Sequence, residues 1–113
     1  MNKSEAHEKL VDELLVALSA TGICRVWRQP TGAAFRHGKM IRYGKKGSAD
    51  ISGLLVGGRR LEVECKTGKA IQNTDQVNFG DMITRMGGLY VVARDVESVL
   101  AIVFKAYRNH MKE

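Results

Sequence analysis

The sequence predicts an α/β fold, a small mixed β-sheet flanked by helices, and three observations carry that prediction. Apolar residues recur at helical spacing within the first twenty positions. "RRLEVECKTG" (Arg59 to Gly68) alternates apolar with charged residues at the period of a strand. The remaining runs sort as helix, strands, helix, strand, helix, and 113 residues suit one compact domain, 1–113.

Each element has a local reason. Ser4 is placed to cap a first helix running to about Ala20, with Leu10, Val11, Leu14, Leu15 and Leu18 as its apolar stripe and Gly22 as its end. "ICRVWRQ" reads as a strand with mixed faces. From Pro30 to Gly47 the chain is basic and dotted with glycine; "AAFRHG" and "KMIRYG" can pair there around a mobile loop. "DISGLLV" is a strand, Gly57-Gly58 a tight turn, and "RRLEVECK" the returning strand, because primed hairpin turns need positive φ. Counting from that turn sets Asp50 opposite Cys65, or one residue away after a bulge. Asn73 and Gln76 form a capping box before Phe79, Met82, Ile83 and Met86, and Gly87 closes that helix. "LYVVAR" is a buried strand, and Asp95 caps a last helix from about Val96 to Arg108. Trp27, Phe79 and the methionines are expected in the core.

Composition narrows the function. Apolar residues make up 44%, which sustains a core and excludes a wholly disordered chain. Eighteen Lys and Arg against twelve acids give a net charge of +6, which favours polyanionic partners. No acid occurs from Leu14 to Ala49, a stretch that carries Arg25, Arg28, Arg36, Lys39, Arg42, Lys45 and Lys46. A nucleic-acid face, an acidic protein or membrane surface, and a merely soluble basic surface all remain open on charge alone. Cys24 and Cys65 lack CxxC spacing, so a zinc knuckle or disulfide scaffold is not expected, and a reducing interior fits. "MNKSEAHEKL" has no apolar core for export, and no run approaches the roughly 18 apolar residues of a membrane helix. The expectation is a cytoplasmic protein without a membrane segment.

The alternation in "RRLEVECKTG" carries the chemistry. Leu61, Val63 and Cys65 share one face of the strand; Glu62, Glu64 and Lys66 share the other, with Glu64 and Lys66 roughly 7 Å apart by strand rise. The hairpin brings Asp50 to the same end. Two carboxylates suit hard Mg²⁺, which also accepts phosphate oxygens and water. A lysine beside them can orient that water or stabilise a pentavalent phosphate. The competing explanation is a half-buried strand with a solvated charged face, whose cross-strand ion pair is worth little. Glu62 is read as structural, and for Gln76 the capping box alone is a sufficient reason.

"RYGKKGSADI", "LEVECKTGKAIQNTDQVNF" and "MGGLYVVARDVESV" resemble the VRR-NUC nucleases of the PD-(D/E)xK superfamily, over about residues 5 to 103. The pattern is a glycine, an aspartate, E-x-K and a glutamine opening the next helix, here Gly47, Asp50, Glu64 with Lys66, and Gln76. Ala49 departs from the usual proline, and Cys65 fills the middle of E-x-K. The resemblance implies a restriction-endonuclease-like core. It implies Asp50, Glu64 and the Cys65 carbonyl as ligands of Mg²⁺ (Mn²⁺ substituting), Lys66 as catalytic, and Gln76 as a site residue. It also implies a glutamate from the first helix, for which Glu8, at the border of the apolar stripe, is the choice. Arg36, Lys39, Arg42, Lys45, Lys46 and Lys69 are expected to track phosphates without reading sequence.

The function so implied is a metal-dependent, structure-selective DNA endonuclease. It would act as a homodimer on branched DNA such as four-way Holliday junctions, in the host cytoplasm of a phage or bacterium. A nickase or flap nuclease, and a non-catalytic DNA-binding module, are the alternatives.

Overall fold

The first helix begins before Ser4, because Asn2 is the better cap: its side chain accepts the Glu5 N–H at 2.8 Å. The computed structural model describes all residues except Thr31 and Gly44, and the side chains of residues 32–35 and 41–43 also lie outside it. Helix α1 spans Lys3–Ala20, and Leu10, Val11, Leu14 and Leu18 are buried along it.

Strands β1 (Cys24–Arg28), β4 (Ile51–Leu55), β5 (Arg60–Cys65) and β6 (Leu89–Ala93) form one four-stranded sheet in the order β1-β4-β5-β6. The first two pairings are antiparallel and β5–β6 is parallel, so the sheet is mixed as expected. A parallel pair needs a crossover, and helix α2 (Thr74–Arg85) lies within it. Helix α3 (Val96–Met111) follows β6 under the Asp95 cap and runs about a turn beyond Arg108. Among the described residues no helix is long and apolar enough to cross a membrane.

Helices α1 and α3 cover one face of the sheet. Val11, Leu14, Leu18, Val99 and Val103 close there over Ile51, Leu61, Val63 and Cys65, all with essentially no exposure. Fully burying one such side chain contributes about 1.5–3 kcal/mol. Helix α2 packs towards β5 and β6, where Ala49, Phe79 and Ile83 form a second small core with Met82 and Tyr90. The middle strand β5 is therefore covered on both sides. Glu62 and Glu64, on the face that could have been solvated, are only 1% and 3% exposed.

The β4–β5 turn differs from the two-residue expectation in a way that matters. Leu55 N–H donates to Arg59 C=O, so Val56, Gly57 and Gly58 form a three-residue loop. Gly57 and Gly58 have φ of 91° and 84°, which glycine adopts without strain. The extra residue slips the register by one: Ile51 faces Val63 and Ser52 faces Glu62. Continued outward, that register sets Asp50 beside Glu64, one residue from Cys65, the second of the two expected placements. Because side-chain direction has period two, the slip decides which face Asp50 joins.

Strands β2 (Gly32–Arg36) and β3 (Lys39–Tyr43) pair as a separate hairpin. His37 and Gly38 make the two-residue turn between them, with φ of 51° and 74°. Other expectations also fail at the edges. Trp27 is 41% exposed, since it lies on the sheet face away from buried Val26, on edge strand β1, where α2 does not reach. Met1, Met40, Met86 and Met111 are exposed at ends and turns, leaving Met82 as the methionine packed on a core. Strand β6 is half-buried rather than buried, with Val92 exposed, because it is the other edge.

Candidate active site

Asp50 is fixed from three directions. Ala49 before it is buried against Phe79 and Ile83. Its own carbonyl accepts the Gln29 N–H at 2.9 Å, and its carboxylate Oδ2 accepts the Cys65 N–H at 2.8 Å. Glu64 arrives from β5, next to Asp50, and Lys66 follows where the strand ends, its N–H bonded to the Ala93 carbonyl at 2.9 Å. Asp50, Glu64, Cys65, Lys66, Lys69 and Gln76 all line one open cleft of about 780 Å³, whose further wall is the start of α1, including His7.

Gln76 closes the capping box and also touches Glu64. Its Oε1 accepts the Asn73 N–H at 2.9 Å to close the capping box, and its Nε2 reaches Glu64 Oε1 at 3.4 Å. The helix start that the box rigidifies is thereby tied to the carboxylate. Tyr90 supports the same corner: its hydroxyl accepts from Gln72 Nε2 at 2.8 Å, and its ring meets Phe79 edge-on at 6.2 Å. Burial pushes the Tyr90 hydroxyl up to about 12, with the Glu64 charge adding to it.

The electrostatics are those of an unbalanced anion pair. Burial, then hydrogen bonding and repulsion from Asp50, push the Glu64 carboxyl up to about 8, and Lys66 offsets only part of this. Glu64 Oε2 is buried without a hydrogen-bond partner. A divalent cation between the two carboxylates would satisfy that oxygen and cancel the repulsion, so the donor set fits a hard ion. Among the described residues no three His, Cys, Asp or Glu side chains already stand as a metal array. Two carboxylates and the Cys65 carbonyl are a partial set, of the kind that water and phosphate oxygens complete. The Cys65 side chain takes no part: it is buried in the main core, and burial pushes its thiol up to about 12.

No protein-family model and no curated protein matches the chain.

The remaining predicted residues separate. Glu8 turns away from the cleft to Arg28, with its Oε2 at 3.0 Å from Arg28 Nη2, and Asp12 joins the same guanidinium at 2.9 Å. The α1 side chain that does reach the acids is His7, whose Nε2 lies 3.3 Å from Asp50 Oδ2. The signal for it was in the sequence: His7 is four residues before Val11 and seven before Leu14, on the centre line of the buried stripe, whereas Glu8 is at its border. Arg36 and Lys39 are exposed beside the β2–β3 turn and Lys45 is exposed before Gly47. Lys46 pairs with Asp75 at 3.4 Å. The Arg42 side chain lies outside the described residues. Glu62 is buried opposite Ser52, with Arg60 Nε at 3.5 Å from its Oε2. Burial raises its carboxyl, and Ser52 and Arg60 offset this in part.

Proposed function

We propose that the protein is a divalent-metal-dependent DNA endonuclease of the VRR-NUC type, with a restriction-endonuclease-like core, acting on branched DNA. The observation that carries this is the meeting of Asp50, just before β4, Glu64, in β5, and Lys66, just after β5, in one open cleft. Mg²⁺ or Mn²⁺ would be held by Asp50, Glu64 and the Cys65 carbonyl, and when bound supplies an activated water and neutralises charge on the phosphate. Lys66 places an ammonium at the scissile phosphate and stabilises the charge that develops there. Gln76 orients Glu64. Lys69 on the cleft rim and the exposed Arg36, Lys39, Lys45 and Lys46 supply salt-sensitive affinity for the backbone. Action as a homodimer on a four-way junction rests on the family resemblance, and a two-fold dimer matches paired incisions.

The test is incubation with a labelled four-way junction, a flap and a linear duplex, with Mg²⁺ or Mn²⁺. Paired symmetric cuts in the junction are expected, and cutting confined to the flap or single nicks would favour the nickase or flap nuclease. Asp50→Asn and Lys66→Ala are each expected to abolish cutting while DNA binding survives. Binding without cutting by either metal would leave a DNA-binding module in place of a nuclease.

A further inference from the structure

His7 is the residue of the cleft that the proposed chemistry has not used. One edge of its ring faces Asp50, with Nε2 3.3 Å from Oδ2; the other faces Glu8, with Nδ1 3.7 Å from Oε1. Nε2 is the nitrogen that faces the cleft, at hydrogen-bond distance from Asp50, while Nδ1 lies too far from Glu8 for a hydrogen bond. Asp50 Oδ2 also accepts the Cys65 N–H at 2.8 Å, which holds it facing His7, and an ion between the two groups would replace the His7 contact. The spacing suits one. Ligands about 2.1 Å from an octahedral ion stand roughly 3 Å apart when adjacent, close to the 3.3 Å between His7 Nε2 and Asp50 Oδ2.

We infer that His7, rather than Glu8, is the first helix's ligand to the ion. This rests on the reading of Asp50 and Glu64 as ion ligands. Glu64 joins through Oε2, which has no hydrogen-bond partner, while Oε1 keeps its 3.4 Å contact to Gln76. An imidazole nitrogen suits first-row transition ions better than Mg²⁺, so His7 biases the site towards Mn²⁺.

The test uses the whole chain and Mn²⁺ without DNA. Binding is followed by the loss of the free Mn²⁺ resonance signal, and a directly bound ¹⁴N by electron spin-echo modulation. Wild type is expected to bind Mn²⁺ more tightly than Mg²⁺ and to show nitrogen modulation. His7→Gln and His7→Ala are expected to lose the modulation and to weaken Mn²⁺ binding about tenfold or more, with a smaller loss for Mg²⁺. Circular dichroism identifies a variant that has not folded, and the wild-type nitrogen signal stands without either variant. Mn²⁺ bound in wild type, lost in Asp50→Asn, yet without nitrogen modulation would overturn the role of His7 and leave the ion site standing. Failure of wild type to bind Mn²⁺ at all would overturn both.

Discussion

Replacing Glu64 by glutamine should flatten the dependence of stability on pH. Glu64 is 3% exposed and its carboxyl is held up to about 8, against 4.5 when unperturbed. Between those values the folded chain keeps a proton that the unfolded chain has released, so stability falls as pH rises through the window and levels off above it. Each pH unit of that gap is about 1.4 kcal/mol, which sets a ceiling of ~5 kcal/mol on the loss from pH 4.5 to pH 9. Water entry and relaxation will lower it, yet even half would be a large part of the 5–15 kcal/mol typical of a domain. The assay is urea unfolding from pH 5 to pH 9 in chelator, with wild type and Glu64→Gln in parallel. Glu62, also raised by burial, is present in both proteins and cancels from the comparison. The variant should be within about 1 kcal/mol of wild type at pH 5 and the more stable of the two at pH 9. Equal pH slopes in the two proteins would refute the reasoning.

Three further outcomes are expected. Gly47→Ala would place a Cβ 2.2 Å from the Asp75 carbonyl oxygen at a φ of 80°; it should cost at least about 1–3 kcal/mol, read as a shift in the urea midpoint, and an unchanged midpoint counts against the close approach. Leu14→Ala empties a fully buried position under the sheet and should cost about 2–5 kcal/mol in the same measurement. Changing Arg36, Lys39 and Lys45 together to glutamine should lower the slope of log affinity for duplex DNA against log salt by roughly 2–3, with the fold intact by circular dichroism; an unchanged slope would remove the hairpin from the DNA surface.

The alternation of "RRLEVECKTG" was enough to place β5, and its Leu61, Val63 and Cys65 face is the core face found. The Asn73–Gln76 box and the Asp95 cap were legible because a cap is a contact within four residues. Legibility ended where distant elements meet. No local rule tells a strand that a helix will cover its second face, so alternation alone left a solvated face open for Glu62 and Glu64, and both are buried. Trp27 read as core and is exposed for the converse reason.

Sequence by itself determined the elements, their order and which acids and lysine ride on the hairpin, since periodicity and caps act over a few residues. Tertiary structure decided the rest. The three-residue turn at Val56–Gly58 chose the register that sets Asp50 beside Glu64. The packing of α1 on the sheet brought its stripe, with His7 at the centre, to Asp50 and left Glu8 to Arg28. Both choices depend on where a side chain points once two elements are packed, and a difference of one residue in either moves it to another face.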